Sequence, residues 1–435
     1  MKLRNALTLV FISSAGLLAA QTDTFRLDSY KARYERRPAM SLNAQASFRG
    51  AYGNYREANN FGSGSARLFW QELRNTNDLI SSWFLSGDLQ GSFGQPTSLS
   101  AQSYNAGYLN MALQRERTHY YRENRFWGWG GALNANGGLI SLDNSRSLNL
   151  ILSPTVFRGW GRIEFAEDAL LAYWMLEDLQ DAGVISSFTP DDITALARTI
   201  TDIIGNRTFD FRRRRIYELD QLQNTVREAG LVGQESFPLF AILNDNWAFA
   251  NRSALPHGKR LAYGLEGTVS PQWGRSNDPF DFSTIFYTYG MGFAEFSSAR
   301  IHNNRGGGQW TARIGGGYYF ARRKFEEQAW QPAREDPFAQ ASLGYTYRWL
   351  PSSRTALNWA NELEATSGLP NVLNPFVFSA NEKQASWNST LELNYFISYQ
   401  WSFRLRAGGN LFYRDLQQRI SFNPELFFST NYFFF

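Results

Sequence analysis

The sequence predicts an all-β transmembrane barrel of about 14 antiparallel strands, with a small α-helical domain inserted after the sixth strand. Three observations indicate this class: long segments alternate apolar and polar side chains, aromatic residues and glycine are abundant, and cysteine is absent. Charged residues disturb the alternation in the first three segments. Counts of about 12 or 16 strands therefore remain alternatives.

The alternation is clearest in residues 400–414. One face reads as apolar or small and the other as polar or basic, with Phe412 as the exception. A strand of this length exceeds the five or six residues usual in globular sheets, and it suits a tilted strand with lipid outside and water inside. Residues 385–397 repeat the pattern, and similar alternation occurs in residues 285–293, 310–320 and 339–349.

Counting such segments divides the barrel into two parts, residues 43–160 with strands 1–6 and residues 258–435 with strands 7–14. The first part contains segments at about 43–57, 62–75, 78–94, 101–117, 122–141 and 145–160. The second contains segments at about 258–273, 281–299, 308–325, 336–350, 353–367, 384–397, 400–415 and 419–434. The even total is what a single-chain bacterial barrel requires.

Composition excludes several other classes. Aromatic residues form 16% of the chain and charged residues 19%, with 36 glycines. A secreted β-sandwich or carbohydrate-binding protein shares this richness, and the long alternation favours the barrel instead. Without cysteine there are no disulfides and no cysteine-based metal site. After residue 20, no uncharged apolar run is long enough for a membrane-spanning helix.

The first 20 residues have the pattern of a secretory signal peptide. Lys2 and Arg4 form a basic start, and the apolar stretch that follows is too short to span a bilayer. Cleavage is expected between Ala20 and Gln21. Residues 21–42 are then an N-terminal arm ahead of the first strand.

The segment at 161–257 has helical rather than strand periodicity. Three amphipathic helices and a shorter fourth one are predicted, the third at about 207–229. Gly183, Gly205 and Gly230 follow the periodic runs, as helix C-caps commonly do. The stripe residues expected to face inward are Phe165, Ala169, Ala172, Leu176 and Leu179, then Ile193, Leu196, Ile200 and Ile203, then Ile216, Leu219, Leu222 and Val226.

The C-terminal pentapeptide ends in Tyr432, Phe433, Phe434 and Phe435 and resembles the terminal strand signature of bacterial outer-membrane β-barrel proteins. The resemblance implies an outer-membrane location, contact with outer-membrane lipid, and recognition of Tyr432, Phe433 and Phe435 by the barrel-assembly machinery. It also implies short periplasmic turns and periplasmic chain ends. The helical insert follows an even-numbered strand, so it and the arm at 21–42 are expected in the periplasm.

Charged residues on the inward faces are the candidates for a functional lumen. They are Arg313, Arg348, Arg404, Arg406, Arg414, Glu362 and Glu392, with Glu266 and Glu364 on the same faces. One interpretation is a network of opposite charges that stabilises a filled interior. The other is a selectivity lining for an anionic solute. The first is favoured, because small barrels commonly fill their interiors in this way.

The helical insert is acidic, with 15 acids against 9 bases between residues 160 and 257, while the rest of the chain is basic. Its one basic run is Arg212, Arg213, Arg214 and Arg215. Consecutive residues on a helix point in different directions, so pairing with acids of neighbouring helices such as Glu167, Asp168, Glu177 and Asp178 is favoured. The alternative is a docking site for an acidic periplasmic protein partner.

The sequence contains few features that indicate an enzyme. The three histidines, His119, His257 and His302, are far apart in the sequence and fall in expected turns or linkers. No zinc-ligand spacing, phosphate loop or nucleophile elbow occurs, so no cofactor, metal or catalytic residue is predicted. Nucleic acid is not an expected partner of an exported chain.

The function expected from these features is a porin-like outer-membrane channel or transporter. Its periplasmic helical domain would gate or plug the lumen, or recruit partners. The alternative is a non-conducting anchor or adaptor for a secretion, polymer-export or envelope-assembly system. A barrel hydrolase is a minor alternative. The sequence names no solute.

Overall fold

We describe the protein from a computed structural model. The described residues are 25–51, 59–95, 104–140, 145–205, 211–233, 236–249, 255–275, 283–325, 329–331, 334–368, 383–396, 401–414 and 419–432. The expected signal peptide, its cleavage point and the last three phenylalanines lie outside these residues.

Fourteen antiparallel strands form one sheet in which each strand pairs with its neighbours in sequence. The strands are β1 Tyr34–Ala51, β2 Asn59–Asn75, β3 Leu79–Gln95, β4 Tyr104–Arg122, β5 Arg125–Ile140, β6 Ser145–Phe165, β7 Pro256–Arg275, β8 Ser283–Asn303, β9 Gly306–Phe325, β10 Arg334–Ser352, β11 Thr355–Ser367, β12 Lys383–Phe396, β13 Trp401–Arg414 and β14 Arg419–Tyr432.

The alternating sequence gives this sheet two different faces. One face presents large exposed apolar residues, for example Leu42 of β1, Leu265 of β7 and Leu426 of β14. On the other face side chains meet across an intervening strand, as Arg313 of β9 does with Glu266 of β7 at 2.6 Å. An antiparallel meander with an apolar outer face and a polar inner face is a transmembrane β-barrel. The predicted fold class and strand number are confirmed.

The insert after β6 contains four helices: α1 Glu167–Asp181, α2 Pro190–Gly205, α3 Phe211–Glu228 and α4 Phe237–Phe249. Residues with positive φ follow α1 and α3 at Gly183 and Gly230, as expected of helix C-caps. At the start of α2, the Thr189 backbone N–H donates to the Asp192 carboxylate at 2.7 Å. The Asp192 N–H donates back to the Thr189 hydroxyl at 3.4 Å, which completes a capping box.

No helix in the described part of the chain combines the length and the apolar character needed to cross a membrane.

Two inward-facing assignments in the helical stripes were wrong. Phe165 is exposed because β6 continues to this residue, and α1 begins two residues later. Ile216 is 75% exposed on α3, while the following stripe positions of that helix are buried. The first turns of α3 carry both apolar and charged residues. Periodicity alone could not show at which turn the helix begins to contact the core.

The described boundaries also differ from those expected for the insert and the arm. Residues 161–165 pair with β7 as the end of β6, so they belong to the sheet rather than to the insert. Strand β1 starts at Tyr34, within the expected arm of 21–42. Closely spaced Arg36, Arg37 and Pro38 hide its alternation in the sequence.

The largest buried core lies in the helical domain and at its contact with the sheet. Trp174, Leu176, Leu196 and Leu222 are among its buried helical members. The segment before β1 contributes Phe25, Leu27, Tyr30 and Ala32, the barrel contributes Leu350 and Ala356, and Leu255 immediately before β7 also belongs to this core. The helical domain is therefore packed onto the barrel and is not a free appendage.

The two ends of the barrel have connections of different length. On the end that bears the helices, the remaining connections contain two to four residues, such as 123–124, 304–305 and 353–354. On the opposite end they contain four to fifteen residues, the longest between β11 and β12. We call the end with the short turns and the helical domain the helical end.

Candidate functional site

The inner face holds a cavity of about 270 Å³ between β4 and β9. Charged residues of four strands face it, together with Gln114, Thr155 and Phe293. Its charged inward residues are Glu116 of β4, Arg260 and Glu266 of β7, Glu295 of β8 and Arg313 of β9. We call this space the lumen cavity.

Opposite charges are paired in the lumen cavity. Arg313 lies 2.6 Å from Glu266, and Arg260 lies 3.5 Å from Glu116. The Tyr289 hydroxyl donates to the other oxygen of Glu266 at 2.9 Å. Such pairing offsets the cost of removing each charge from bulk water, and it leaves a polar wall that still has hydrogen-bonding capacity.

The expected lumen residues are spread over two regions rather than gathered in one site. Arg313 belongs to the lumen cavity, whereas Arg404 of β13 donates to Glu392 of β12 at 2.5 Å on another part of the inner face. Arg406 and Glu362 are exposed on that same face. The side chain of Arg414 lies outside the described residues. The sequence analysis did not single out Glu116, Arg260 and Glu295. Their positions in the alternation of inward and outward residues could have identified them as inward-facing.

Arg348 has a different environment from the other expected lumen residues. It lies near the end of β10, where it interacts electrostatically with Glu167 at the start of α1. Glu167 also forms an ion pair with Arg37 of β1. One carboxylate therefore pairs with an arginine of the first strand and also acts electrostatically on an arginine of the tenth. This is geometrically feasible because the sheet curls around the helical end.

A buried polar network surrounds this contact. Arg37 also pairs with Asp168, and the Thr201 hydroxyl of α2 lies 2.6 Å from the same carboxylate. Thr201 in turn contacts the Tyr30 hydroxyl at 2.8 Å. Burial raises the pKa of Tyr30 to about 12, so Tyr30 stays a neutral hydrogen-bonding group. We call Tyr30, Arg37, Glu167, Asp168 and Thr201 the anchor network.

Two further ion pairs fasten the rim of the helical domain to barrel turns. Arg305, between β8 and β9, donates to Glu177 of α1 at 2.8 Å. Arg354, between β10 and β11, pairs with Asp245 of α4. All four side chains are partly exposed to solvent, so each pair contributes little, about 0–1 kcal/mol.

Two arginines of the basic run of α3 have described partners that are not among the expected acids. Arg214 pairs with Glu218 one turn along its own helix at 2.9 Å. Arg215 donates to Asn244 of α4 at 2.9 Å. The acids expected to meet this run are engaged elsewhere, since Glu167 and Asp168 pair with Arg37 and Glu177 with Arg305. The side chains of Arg212 and Arg213 lie outside the described residues.

The three histidines are in strands and not in turns or linkers. His119 of β4 stacks on Trp127 with ring centroids 4.8 Å apart, and His302 of β8 lies beside Tyr347. His257 is buried at the start of β7. Strand ends with polar residues resemble turns in sequence, which explains the difference.

No protein-family model matches the chain, and no curated protein matches it. Solved structures of bacterial outer-membrane β-barrel proteins are similar to it. The ferric yersiniabactin uptake receptor FyuA from Yersinia pestis has a TM-score of 0.36 and 6% identity, over 88% of this chain and 61% of that one. The chain therefore spans about three fifths of that receptor's length.

Two other structures have comparable likeness. The translocator domain of the autotransporter NalP from Neisseria meningitidis has a TM-score of 0.28 and 7% identity, over 99% of this chain and 95% of that one. The alcaligin outer-membrane receptor FauA from Bordetella pertussis has a TM-score of 0.30 and 8% identity, over 92% and 65%. Because these scores are low, the fold class rests on the strand order and the two faces of the sheet.

Proposed function

We propose that the chain is an outer-membrane channel for small polar solutes, gated by its helical domain. The observation that carries this proposal is the anchor network, which ties the start of α1 to strand β1 at one mouth of a polar lumen. A domain held there stands in the path between the lumen and the water beyond the helical end.

The attachment suits a gate because the two covalent connections of the domain lie side by side. The domain joins the barrel covalently through Ala166 and Leu255, whose backbones are hydrogen bonded to each other at 3.1 Å. These residues follow and precede the neighbouring strands β6 and β7. Displacement of the helices therefore breaks no pairing between strands. It does expose the shared apolar core, including Leu350 and Ala356, so the closed state is the stable one.

The lumen chemistry favours polar solutes over apolar ones. The lumen cavity is lined by paired acids and bases, and a solute that crosses it exchanges water for carboxylate, guanidinium and hydroxyl groups. Because acids and bases alternate around the wall, we propose weak rather than strong charge selectivity. The ion pairs on this wall are Glu266 with Arg313 and Glu392 with Arg404.

Turn length supports a proposal for the location of the helical domain. Outer-membrane barrels have short periplasmic turns and longer outside loops. The helical end carries the short turns. We therefore propose that the helical domain is periplasmic, with outer-membrane lipid around the barrel and the barrel-assembly machinery as the transient partner during insertion.

Single-channel current in planar lipid bilayers tests the gate. The variant Glu177→Cys/Arg305→Cys places thiols on both sides of one rim contact in a chain without other cysteines. We expect a short bis-maleimide crosslinker to abolish opening. We expect Arg37→Gln, which removes the centre of the anchor network, to increase open time at least about tenfold. Arg26→Gln, which removes an exposed pair, is the matched control.

A steady wild-type current that the crosslinker leaves unchanged contradicts the gate. Absence of current in every variant, including one lacking the helices, supports the adaptor alternative instead. A specific observation favours that alternative: Phe237 of α4 is 82% exposed, and Ile216 and Tyr217 of α3 are exposed as well. Apolar groups on the outside of a domain in water mark surfaces that bind proteins.

A further inference from the structure

Three arginines lie on the apolar outer face of the barrel rather than inside it. Arg115 and Arg117 alternate on β4 with the inward Glu116, and Arg158 on β6 lies between the exposed Val156 and Trp160. The register joins them through β5, because Arg117 is opposite Trp129 while Trp127 is opposite both His119 and Arg158. We call Arg115, Arg117 and Arg158 the outer arginine cluster.

Aromatic rings surround the outer arginine cluster. The Arg115 guanidinium carbon lies 4.7 Å from the ring centre of Trp83 and 5.1 Å from that of Trp129. The Arg158 guanidinium lies 5.6 Å from the Tyr263 ring centre. Aromatic rings of this kind form the girdles at which a barrel meets the lipid headgroups. Stacked rings also hold a guanidinium flat, with its N–H groups directed outward in one plane.

The outer arginine cluster has no anionic partner in the described part of the chain. No hydrogen bond or ion pair joins these three side chains to another described side chain. The Nε atoms of Arg115 and Arg117 are both buried without a hydrogen-bond acceptor. On a lipid-facing surface this is costly, because neither water nor a carboxylate compensates the buried N–H groups.

The cluster lies on the half of the outer face that is nearer the helical end. Arg117 is six residues from Glu123 in the hairpin between β4 and β5. At about 3.3 Å per residue and a tilt of about 40°, this places it roughly 15 Å from the hairpin along the membrane normal. Apolar Leu113, Leu133 and Leu152 continue the outer face toward the bilayer centre.

We propose that the outer arginine cluster binds the phosphate of an anionic glycerophospholipid in the leaflet at the helical end. A phosphate diester offers oxygens that match the guanidinium fork, and its acyl chains would lie along the apolar strip below. The choice of a glycerophospholipid follows from the proposed periplasmic position of the helical end. The site is outside the lumen and does not depend on gating.

Native mass spectrometry of the delipidated full chain in detergent tests the site with three probes: phosphatidylglycerol, lipid A and inorganic phosphate. We expect phosphatidylglycerol to bind, and Arg115→Gln/Arg117→Gln to weaken its binding about 30-fold. The control Arg404→Gln/Arg406→Gln makes the same charge change on the inner face and should leave binding unchanged. Heat-modifiable migration on gels establishes that each variant is assembled. If the double variant does not assemble, Arg158→Gln replaces it as the test variant.

Three results overturn the proposal. Equal binding by the wild type and both outer-face variants removes the site. Tighter binding of lipid A than of phosphatidylglycerol assigns the cluster to the other lipid class and reverses the proposed orientation. Displacement of bound lipid by inorganic phosphate at equal concentration makes it a free-anion site. Channel current is not used as a readout, so failure of the gate leaves this test intact.

Discussion

Arg33 and Glu164 form a two-pronged ion pair, with Nη1 2.8 Å from Oε2 and Nη2 2.6 Å from Oε1. Arg33 immediately precedes β1, whereas Glu164 is the second-last residue of β6. Arg162 approaches the same carboxylate at 2.9 Å. The contact therefore joins the start of the sheet to the point at which the chain leaves it for the helical domain.

Replacing Glu164 by glutamine should destabilise this junction. The carboxylate is only 8% exposed and neutralises two arginines, so its loss leaves both facing each other without a counter-charge. We expect a cost of roughly 3 kcal/mol in the free energy of unfolding, measured by urea titration in detergent micelles. Asp28→Asn, in the exposed Arg26–Asp28 pair, should cost less than about 1 kcal/mol. Equal changes in the free energy of unfolding for the two variants would show that the buried ion pair contributes no more stability than the exposed one.

The capping box of α2 gives a second prediction. Thr189→Ala removes the hydroxyl that accepts from the Asp192 N–H and should destabilise the helical domain by about 1 kcal/mol. Hydrogen exchange of peptides from α2, followed by mass spectrometry, should then be faster. Thr194→Ala is the matched control, because that hydroxyl donates to the Pro190 carbonyl of its own helix. Unchanged exchange in the Thr189 variant would contradict the role of the cap.

A third prediction concerns pH. Burial raises the pKa of Asp178 above its ordinary value, and the Asn246 amide, which donates to it at 2.7 Å, only partly opposes this. The folded state thus favours the neutral carboxyl. The stability contributed by Asp178 is fully present below the unfolded pKa of 3.8 and is lost as pH rises through the higher folded pKa.

Asp178→Asn removes this titration and keeps an oxygen for Asn246. The variant should therefore be more stable than the wild type near neutral pH, and the difference should shrink as the pH falls toward 3.8. Urea midpoints measured across that range provide the comparison. Asp220→Asn, at an exposed position of α3, is the matched control for the change of charge. A difference that grows on acidification would mean that the carboxylate is stabilising.

The continuous strand pairing of the sheet gives a fourth prediction. Thirteen antiparallel ladders join consecutive strands, so unfolding requires many backbone hydrogen bonds to break together. The unheated protein in sodium dodecyl sulfate should therefore migrate differently from the heated protein on gels. A single band that heating does not shift would count against a stable barrel.

The position of the helical domain gives a fifth prediction. Gly230 follows α3 in an exposed turn and accepts a protease-cleavable tag without disturbing the core. Protease added to intact cells should spare the tag and should cut it once the outer membrane is opened. Cleavage in intact cells would place the helical end outside, and with it the proposed gate.

The strands and the helices of the insert were predictable because each has a local period. Alternation identified β12 and β13 along nearly their whole length, and the helix caps at Gly183 and Gly230 fell where left-handed backbone was required. The beginning of β1 was hidden because two arginines and a proline follow one another. One of those arginines, Arg37, has its partners 130 and 131 residues away.

The candidate sites were less predictable than the fold. Inward parity identified Arg313 and Arg404 as lumen residues, but it could not tell which acid each would meet across neighbouring strands. The anchor network joins four separate segments of the chain. A local sequence pattern therefore could not predict it. Alternation also places Arg115 on the outer face. This position becomes informative only when its aromatic neighbours are known, together with the absence of a counter-charge among the described residues.

The shared core at the helical end has a consequence for biogenesis. Leu27 and Leu350 belong to the same buried cluster as the helices, although they are separated by most of the chain. The helices can form early, but their apolar surface is fully covered only when the segment before the first strand and the tenth and eleventh strands are in place. We expect a stalled assembly intermediate to expose that surface to chaperones and proteases. Burial of the helical core would then distinguish an assembled chain from an unassembled one.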